Sequence, residues 1–228
     1  MKMILKPILS SVALAFCLFL RPAYADTIAN WTFESLTLGS THTNTPPDGW
    51  LNNVAPETGM GAASGFHAAT NTLYSAPGGN GSDNSISANR WAVDDYYQFT
   101  VSTIGFKAIS LSYDQASSPT GPASFQFSYS ANGTDFTPFG SAYAIASNNW
   151  TSVSFDLGSV TDLDNQSSVY FRIVDVSTIA INGSSVGTSG TDRIDNFIVT
   201  AALVPEPSIV TLGVVGGLTC LIAGRRKH

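Results

Sequence analysis

Residues 124–139 read SFQFSYSANGTDFTPF. Phe125, Phe127 and Tyr129 alternate with Gln126, Ser128 and Ser130. Successive side chains of a strand point to opposite faces, so this is a strand with one aromatic and one polar face. Asn132-Gly133 follows, a dipeptide that tolerates positive φ and predicts a hairpin leading to Phe136.

The same period extends on both sides. Residues 91–101 set Tyr97, Phe99 and Val101 in alternation, and residues 107–114 place Ile109, Leu111 and Tyr113 against Ser110 and Ser112. Residues 150–157 repeat the pattern with Val153, Phe155 and Leu157, and residues 168–176 with Val169, Phe171 and Ile173. RIDNFIVTA (193–201) is the last strand and TIANWTFE (27–34) the first, with Trp31 and Phe33 on one face. Prolines 46 and 47 and glycines 49, 59 and 61 oppose regular structure over most of 35–64. Short strands are expected near Trp50 and within 66–74. Residues 75–85, 117–122 and 181–191 read as loops. No long stretch carries the 3.6-residue apolar period of a helix. Eight or nine strands joined by polar turns predict an all-β, antiparallel two-sheet sandwich.

The two ends differ from this domain. Lys2 and Lys6, an apolar run from Ile8 to Leu20 and Ala23-Tyr24-Ala25 form a secretory signal peptide, residues 1–25. A lipoprotein signal on Cys17 is the rival, with Phe16 standing where a small residue is expected. At the other end, residues 202–228 hold Pro205-Glu206-Pro207, an uncharged apolar run from Ser208 to Gly224, and Arg225, Arg226, Lys227 and His228. The prolines keep the triplet extended. The apolar run is about as long as the shortest membrane-spanning helices. The basic cluster keeps the end of the chain cytoplasmic and the rest outside. A signal helix and a transmembrane helix thus flank a sandwich of residues 26–201.

This tail resembles the PEP-CTERM sorting signal of Gram-negative bacteria. The resemblance implies an exosortase-type membrane protease as partner, transient anchoring in the inner membrane and delivery to the envelope, outer surface or extracellular matrix, in association with exopolysaccharide. It describes an address and leaves the activity open.

Six of the ten basic residues lie in the two ends. Residues 26–204 keep only Arg90, Lys107, Arg172 and Arg193 against fifteen carboxylates, a net charge of about −11. Nucleic acid is excluded as a partner, because phosphate binding rests on Lys and Arg. Such a surface suits solubility or divalent cations. Both cysteines, Cys17 and Cys220, fall in the ends. The exported domain therefore has no disulfide, thiol nucleophile or cysteine-based zinc site.

The order of elements, from the W-x-F-E strand through SFQFSYSANGTDFTPF to YFRI and IDNFIV, resembles the jelly-roll sandwiches of carbohydrate-binding modules. That resemblance implies a structural calcium joining Glu34, at the end of the first strand, to Asp195 in the last, with loop oxygens completing the shell and Asp192 as an additional ligand. Alternation puts Asp195 on one face with Phe197 and Val199, where a carboxylate needs a partner; Arg193 or Arg172 is the alternative to a cation.

Aromatic faces stack on sugars. Trp91, Tyr96, Tyr97 and Trp150 are the candidate ligand contacts, with Tyr96 and Tyr97 pointing to opposite faces. Catalysis finds little support. Glu34 and Glu57 are the only glutamates of residues 26–204, and nothing fixes the paired carboxylates of a glycosidase. His42 and His67 lie in no recognisable motif. The chain reads as an exported, non-catalytic surface or matrix protein. A glycan-binding module with a defined sugar site is the alternative, and a hydrolase a distant third.

Overall fold

The structure, a computed structural model, describes residues 25–36, 41–43, 52–146 and 149–205. Its strands are β1 (Ala25–Trp31), β2 (Thr41–Thr43), β3 (Asn52–Val54), β4 (Thr58–Gly59), β5 (Gly61–Phe66), β6 (Leu73–Ser75), β7 (Ile86–Asn89) and β8 (Tyr96–Val101). They continue with β9 (Phe106–Ser117), β10 (Ser124–Ser130), β11 (Thr137–Pro138), β12 (Tyr143–Ala144), β13 (Thr151–Asp156), β14 (Val169–Asp175) and β15 (Thr191–Leu203). Eight form one antiparallel sheet in the order β13-β9-β15-β7-β6-β2, with β1 on β15 and β4 on β1. Seven form the other, β11-β10-β14-β8-β5-β3, with β12 on β10. From β7 onward the longer strands alternate between the sheets, so each connection crosses the top or bottom of the sandwich.

The core is the aromatic face that the alternation predicts. Tyr97, Phe99, Ile109, Tyr113, Phe125, Phe127, Phe171, Ile173, Phe197 and Val199 are all buried. Phe99 stacks on Phe197 with centroids 3.5 Å apart, and Trp31 meets both rings edge-on. Each such side chain contributes about 2–3 kcal/mol on leaving water, which lets a sandwich without disulfides hold together.

The long strands match their expected positions, and the departures have local causes. The first strand ends at Trp31. Phe33 lies beyond it at φ +59° and is buried all the same. The expected strand from Trp91 begins only at Tyr96, because residues 92–95 turn, with Asp94 at φ +75°. The β10–β11 turn is longer than a two-residue hairpin. Asn132 Oδ1 accepts the N–H groups of Thr134 and Asp135, and Gly133 takes the positive φ. Strand β7 was not expected; its four residues are too short for a period to show.

β15 contains the irregularity that matters most for the site. β9 lines one edge of it, while β7 and β1 share the other edge, pairing before and after residues 195–196. The register shifts there, with Asn196 at φ +49°. This bulge flips the alternation: Asp192 and Ile194 face the core before it, and Phe197 and Val199 after it. Asp195 therefore lies opposite Asp114 on the outer side and does not share the face of Phe197.

Trp50, the signal segment and most of the sorting tail, including Glu206, Pro207, Arg225 and Arg226, lie outside the described residues. Pro205 is exposed just past β15. Among the described residues no helix is long and apolar enough to cross a membrane.

Candidate functional site

The outward face of the seven-stranded sheet carries the most suggestive surface chemistry. Strand register sets Phe66, Tyr96, Val174 and Gln126 side by side. The next outward row is Ser64, Gln98, Arg172 and Ser128, followed by Ala62, Thr100, Tyr170 and Ser130. Phe66 is 50% exposed. Its ring stacks on Tyr96 at 5.2 Å between centroids and 19° between planes.

Arg172 stands at the centre. Its guanidinium carbon lies 3.9 Å from the Tyr96 ring centroid and 3.5 Å from that of Phe136. Nε donates to Gln98 Oε1 at 2.8 Å. Phe136 reaches this position from the β10–β11 loop. Gly133 lets that loop lie on Tyr170, since a Cβ there would stand 2.9 Å from the ring. Burial lowers the Arg172 pKa and Tyr96 opposes the shift; a guanidinium stays cationic throughout the neutral range. Phe66, Tyr96, Arg172 and Phe136 thus form one continuous stack, with half-exposed Phe66 at its end; such a stack with an amide and a guanidinium edge can pack on the C–H groups of a sugar and bond to its hydroxyls.

Of the expected contacts, Tyr96 stands on this face. Tyr97 and Trp91 belong to the core instead. The Tyr97 hydroxyl donates to the Asp192 carbonyl at 3.0 Å, and the Trp91 indole donates to the Ala88 carbonyl at 2.9 Å. Trp91 packs edge-on against Tyr97 and Phe125. Trp150 is half-buried beside β13, at the edge of the other sheet. Sequence reading missed Phe66, Gln98, Phe136 and Arg172. The outward positions of β8 and β14 are legible as the alternate set to Phe99 and Phe171, and following that set would have found Gln98 and Arg172.

Glu34 and Asp195 meet the same loop, residues 77–85. Glu34 Oε1 accepts the N–H groups of Asp83 and Asn84 at 2.9 and 3.2 Å. Asp195 Oδ2 accepts from Asn80 N–H at 2.7 Å and the Ser82 hydroxyl at 2.6 Å, and Oδ1 from Asn196 N–H at 2.7 Å. These donors occupy both oxygens of Asp195 and one oxygen of Glu34. Asp192 is held apart in the core, between the Gln115 amide at 3.0 Å and the Ser117 hydroxyl at 2.8 Å. Among the described residues no three His, Cys, Asp or Glu side chains gather as a metal site.

Glu57 also serves the backbone, accepting from Thr32 and Ser35 N–H. His67 is buried with Nδ1 2.9 Å from the Tyr74 hydroxyl, and burial holds its pKa down to about 3.

No protein-family model matches this chain, and no curated protein sequence does. Solved structures overlap it weakly. The CBM22-1 xylan-binding domain of Paenibacillus barcinonensis Xyn10C shares 9% identity over 75% of this chain and 99% of that one, with a TM-score of 0.44. The arabinose-bound MgGH51 α-L-arabinofuranosidase shares 11% over 77% of this chain and 27% of its own, at 0.46. TmCBM61, solved with β-1,4-galactotriose, shares 7% over 69% and 97%, at 0.38. Likeness at this level assigns neither ligand nor activity. Fold and face define the class: a β-sandwich with one aromatic, nearly uncharged outer face.

Proposed function

We propose that this chain is an exported, non-catalytic protein of the cell envelope or exopolysaccharide matrix that holds glycan on the outward face of its seven-stranded sheet. The observation that carries this reading is the row Phe66–Tyr96–Arg172–Phe136 beside Gln98. The signal peptide and the PEP-CTERM-like tail supply the address, with an exosortase-type protease as processing partner and the membrane as a transient anchor. A non-catalytic role fits Glu34 and Glu57, both of which hold backbone N–H groups. Calcium at Glu34 and Asp195 belongs to the same proposal. It requires Asp195 to exchange its Asn80 and Ser82 donors for the ion, with loop carbonyls completing six to eight oxygens.

The test is affinity electrophoresis of the full chain, purified in mild detergent, through gels containing the host's own exopolysaccharide or a panel of plant and bacterial polysaccharides. Tyr96→Ala and Phe66→Ala should each weaken binding about tenfold, equivalent to about 1.4 kcal/mol. Unchanged mobility shifts in both variants, with melting temperatures preserved, would remove the face from the proposal.

A further inference from the structure

Among the described residues Arg172 is a cation without a counter-ion. Its partners among the described residues are the Gln98 amide oxygen and the rings of Tyr96 and Phe136. Neither terminal nitrogen has an acceptor among the described residues. Acids are plentiful elsewhere, with fifteen carboxylates against four cations in residues 26–204. Within β5, β8, β10 and β14 the only acid is Asp175, and it is buried. The outward acids of the strands, Asp26, Asp114, Asp156 and Asp195, stand on the other sheet. A half-buried cation is costly to leave unpaired, and in so acidic a chain a carboxylate neighbour was an available solution. Two rings pack on the guanidinium and Gln98 holds its Nε edge, which leaves the fork of terminal nitrogens for a planar, two-oxygen anion.

We infer that the glycan held on this face is acidic, with Arg172 making a bidentate pair to the carboxylate of a uronic-acid residue while Phe66, at the end of the stack that Tyr96 continues, takes a flanking sugar ring. The inference rests on the glycan-binding reading above and adds the chemical class of the ligand. No strand acid points outward on this patch; exposed Asp94 and Asp135 lie in the loops beside Tyr96 and Phe136, with Asp135 Oδ2 accepting from the Asn132 amide, and the charge of the rest of the domain is screened beyond roughly 8 Å at physiological salt.

Isothermal titration of the full chain in detergent with polygalacturonate, methyl-esterified polygalacturonate and neutral xylan tests it. The wild type should prefer the free acid over its ester by about tenfold or more. Arg172→Gln should erase that preference and leave weak, charge-blind binding. Arg172→Lys, which keeps the charge without the fork, should retain only part of it. Rising salt should weaken binding of the acid and spare that of xylan, a readout on the wild type that stands even where a variant misfolds. Equal affinity for acid, ester and xylan would overturn the acidic ligand while leaving a glycan-binding face. No binding to any of the three, or to the polysaccharide panel, would overturn both readings.

Discussion

Asp95, Asp175, Asp192 and Asp195 are buried, and burial is the leading cause that raises each carboxyl pKa. Asp175 is pushed up to about 7, first by burial and then by the charges of Asp95 and Asp94, against the Ser177 N–H that lowers it. Its Oδ1 accepts that N–H at 2.8 Å, and its Oδ2 has no hydrogen-bond partner among the described residues. The native state therefore keeps a proton that the unfolded chain releases near the ordinary carboxylate value of about 3.9. Stability from this group is full below about pH 4 and is lost as pH rises through about 7. Melting temperature should fall between about pH 4 and pH 7 and level off above, and Asp175→Asn should flatten that fall. Near pH 8 the variant should be the more stable, by on the order of 2 kcal/mol. A variant that tracks the wild type at every pH would show that the Asp175 charge is not felt. At this scale the sequence was half legible. Adjacency fixed Tyr96 and Tyr97 on opposite faces, but not which face was the core. Trp91 looked like a platform because nothing in its neighbours reveals that residues 92–95 turn it inward.

The loop of residues 77–85 is held as a unit by two carboxylates, Glu34 in the turn after β1 and Asp195 on β15. Asp195 takes the Asn80 N–H and the Ser82 hydroxyl, and Glu34 takes the next two N–H groups. Gly79 permits the close approach: a Cβ there would lie 2.3 Å from Asp195 Oδ2 and 2.3 Å from the Asn84 carbonyl. Asp195→Ala orphans several donors and should cost about 2 kcal/mol, seen in thermal melts as a drop of about 4–8 °C. Gly79→Ala should cost a similar amount by pushing the same loop off the same carboxylate. The double variant should then be far less than additive, whereas full additivity would mean that the two residues act on separate structures. Calcium binds at the same place in the proposal, so the melt should rise by several degrees in calcium over EDTA, and Asp195→Ala should abolish the rise. Identical wild-type melts in calcium and EDTA would remove the ion. Strands β9, β10 and β14 were legible because each buries one face over six residues or more, and β13 because Val153 and Phe155 alternate with exposed Ser152, Ser154 and Asp156. β5, with its sequence GAASGF, has no such pattern and owes its place to pairing with β8 and β3. The bulge at Asp195–Asn196 could not be read either, since one extra residue shifts a face without changing composition.

For the whole molecule, strand direction decides what an anchored domain would present. β1 starts at Ala25 opposite Ala202, and Val204 N–H bonds to the Gly105 carbonyl. The chain therefore enters and leaves at one end of the sandwich, beside an open groove that includes Ile28, Met60, Ile104 and Phe106. Met60 and Ile104 are 76% and 62% exposed there. β8 runs from Tyr96 at the far end to Val101 near this one, and β5 runs the opposite way to Phe66. The Phe66–Tyr96 pair thus sits far from the exit of the tail, and Val93, also exposed, precedes it at that end. A domain held at a bilayer by residues beyond Pro205 would turn the Phe66–Tyr96 end of its aromatic face, the proposed glycan site, outward and its apolar groove toward the lipid. Residues 26–204 contain no cysteine, so single replacements report position cleanly once Cys17 and Cys220 are controlled for. In vesicles carrying the full chain, a bulky membrane-impermeant maleimide should label Val93→Cys several-fold faster than Ile104→Cys. In detergent the two rates should converge, because both side chains are exposed in the domain itself. Equal rates in vesicles would mean that the tail does not hold the domain at the surface, and the outward presentation of the glycan face would have to come from another contact.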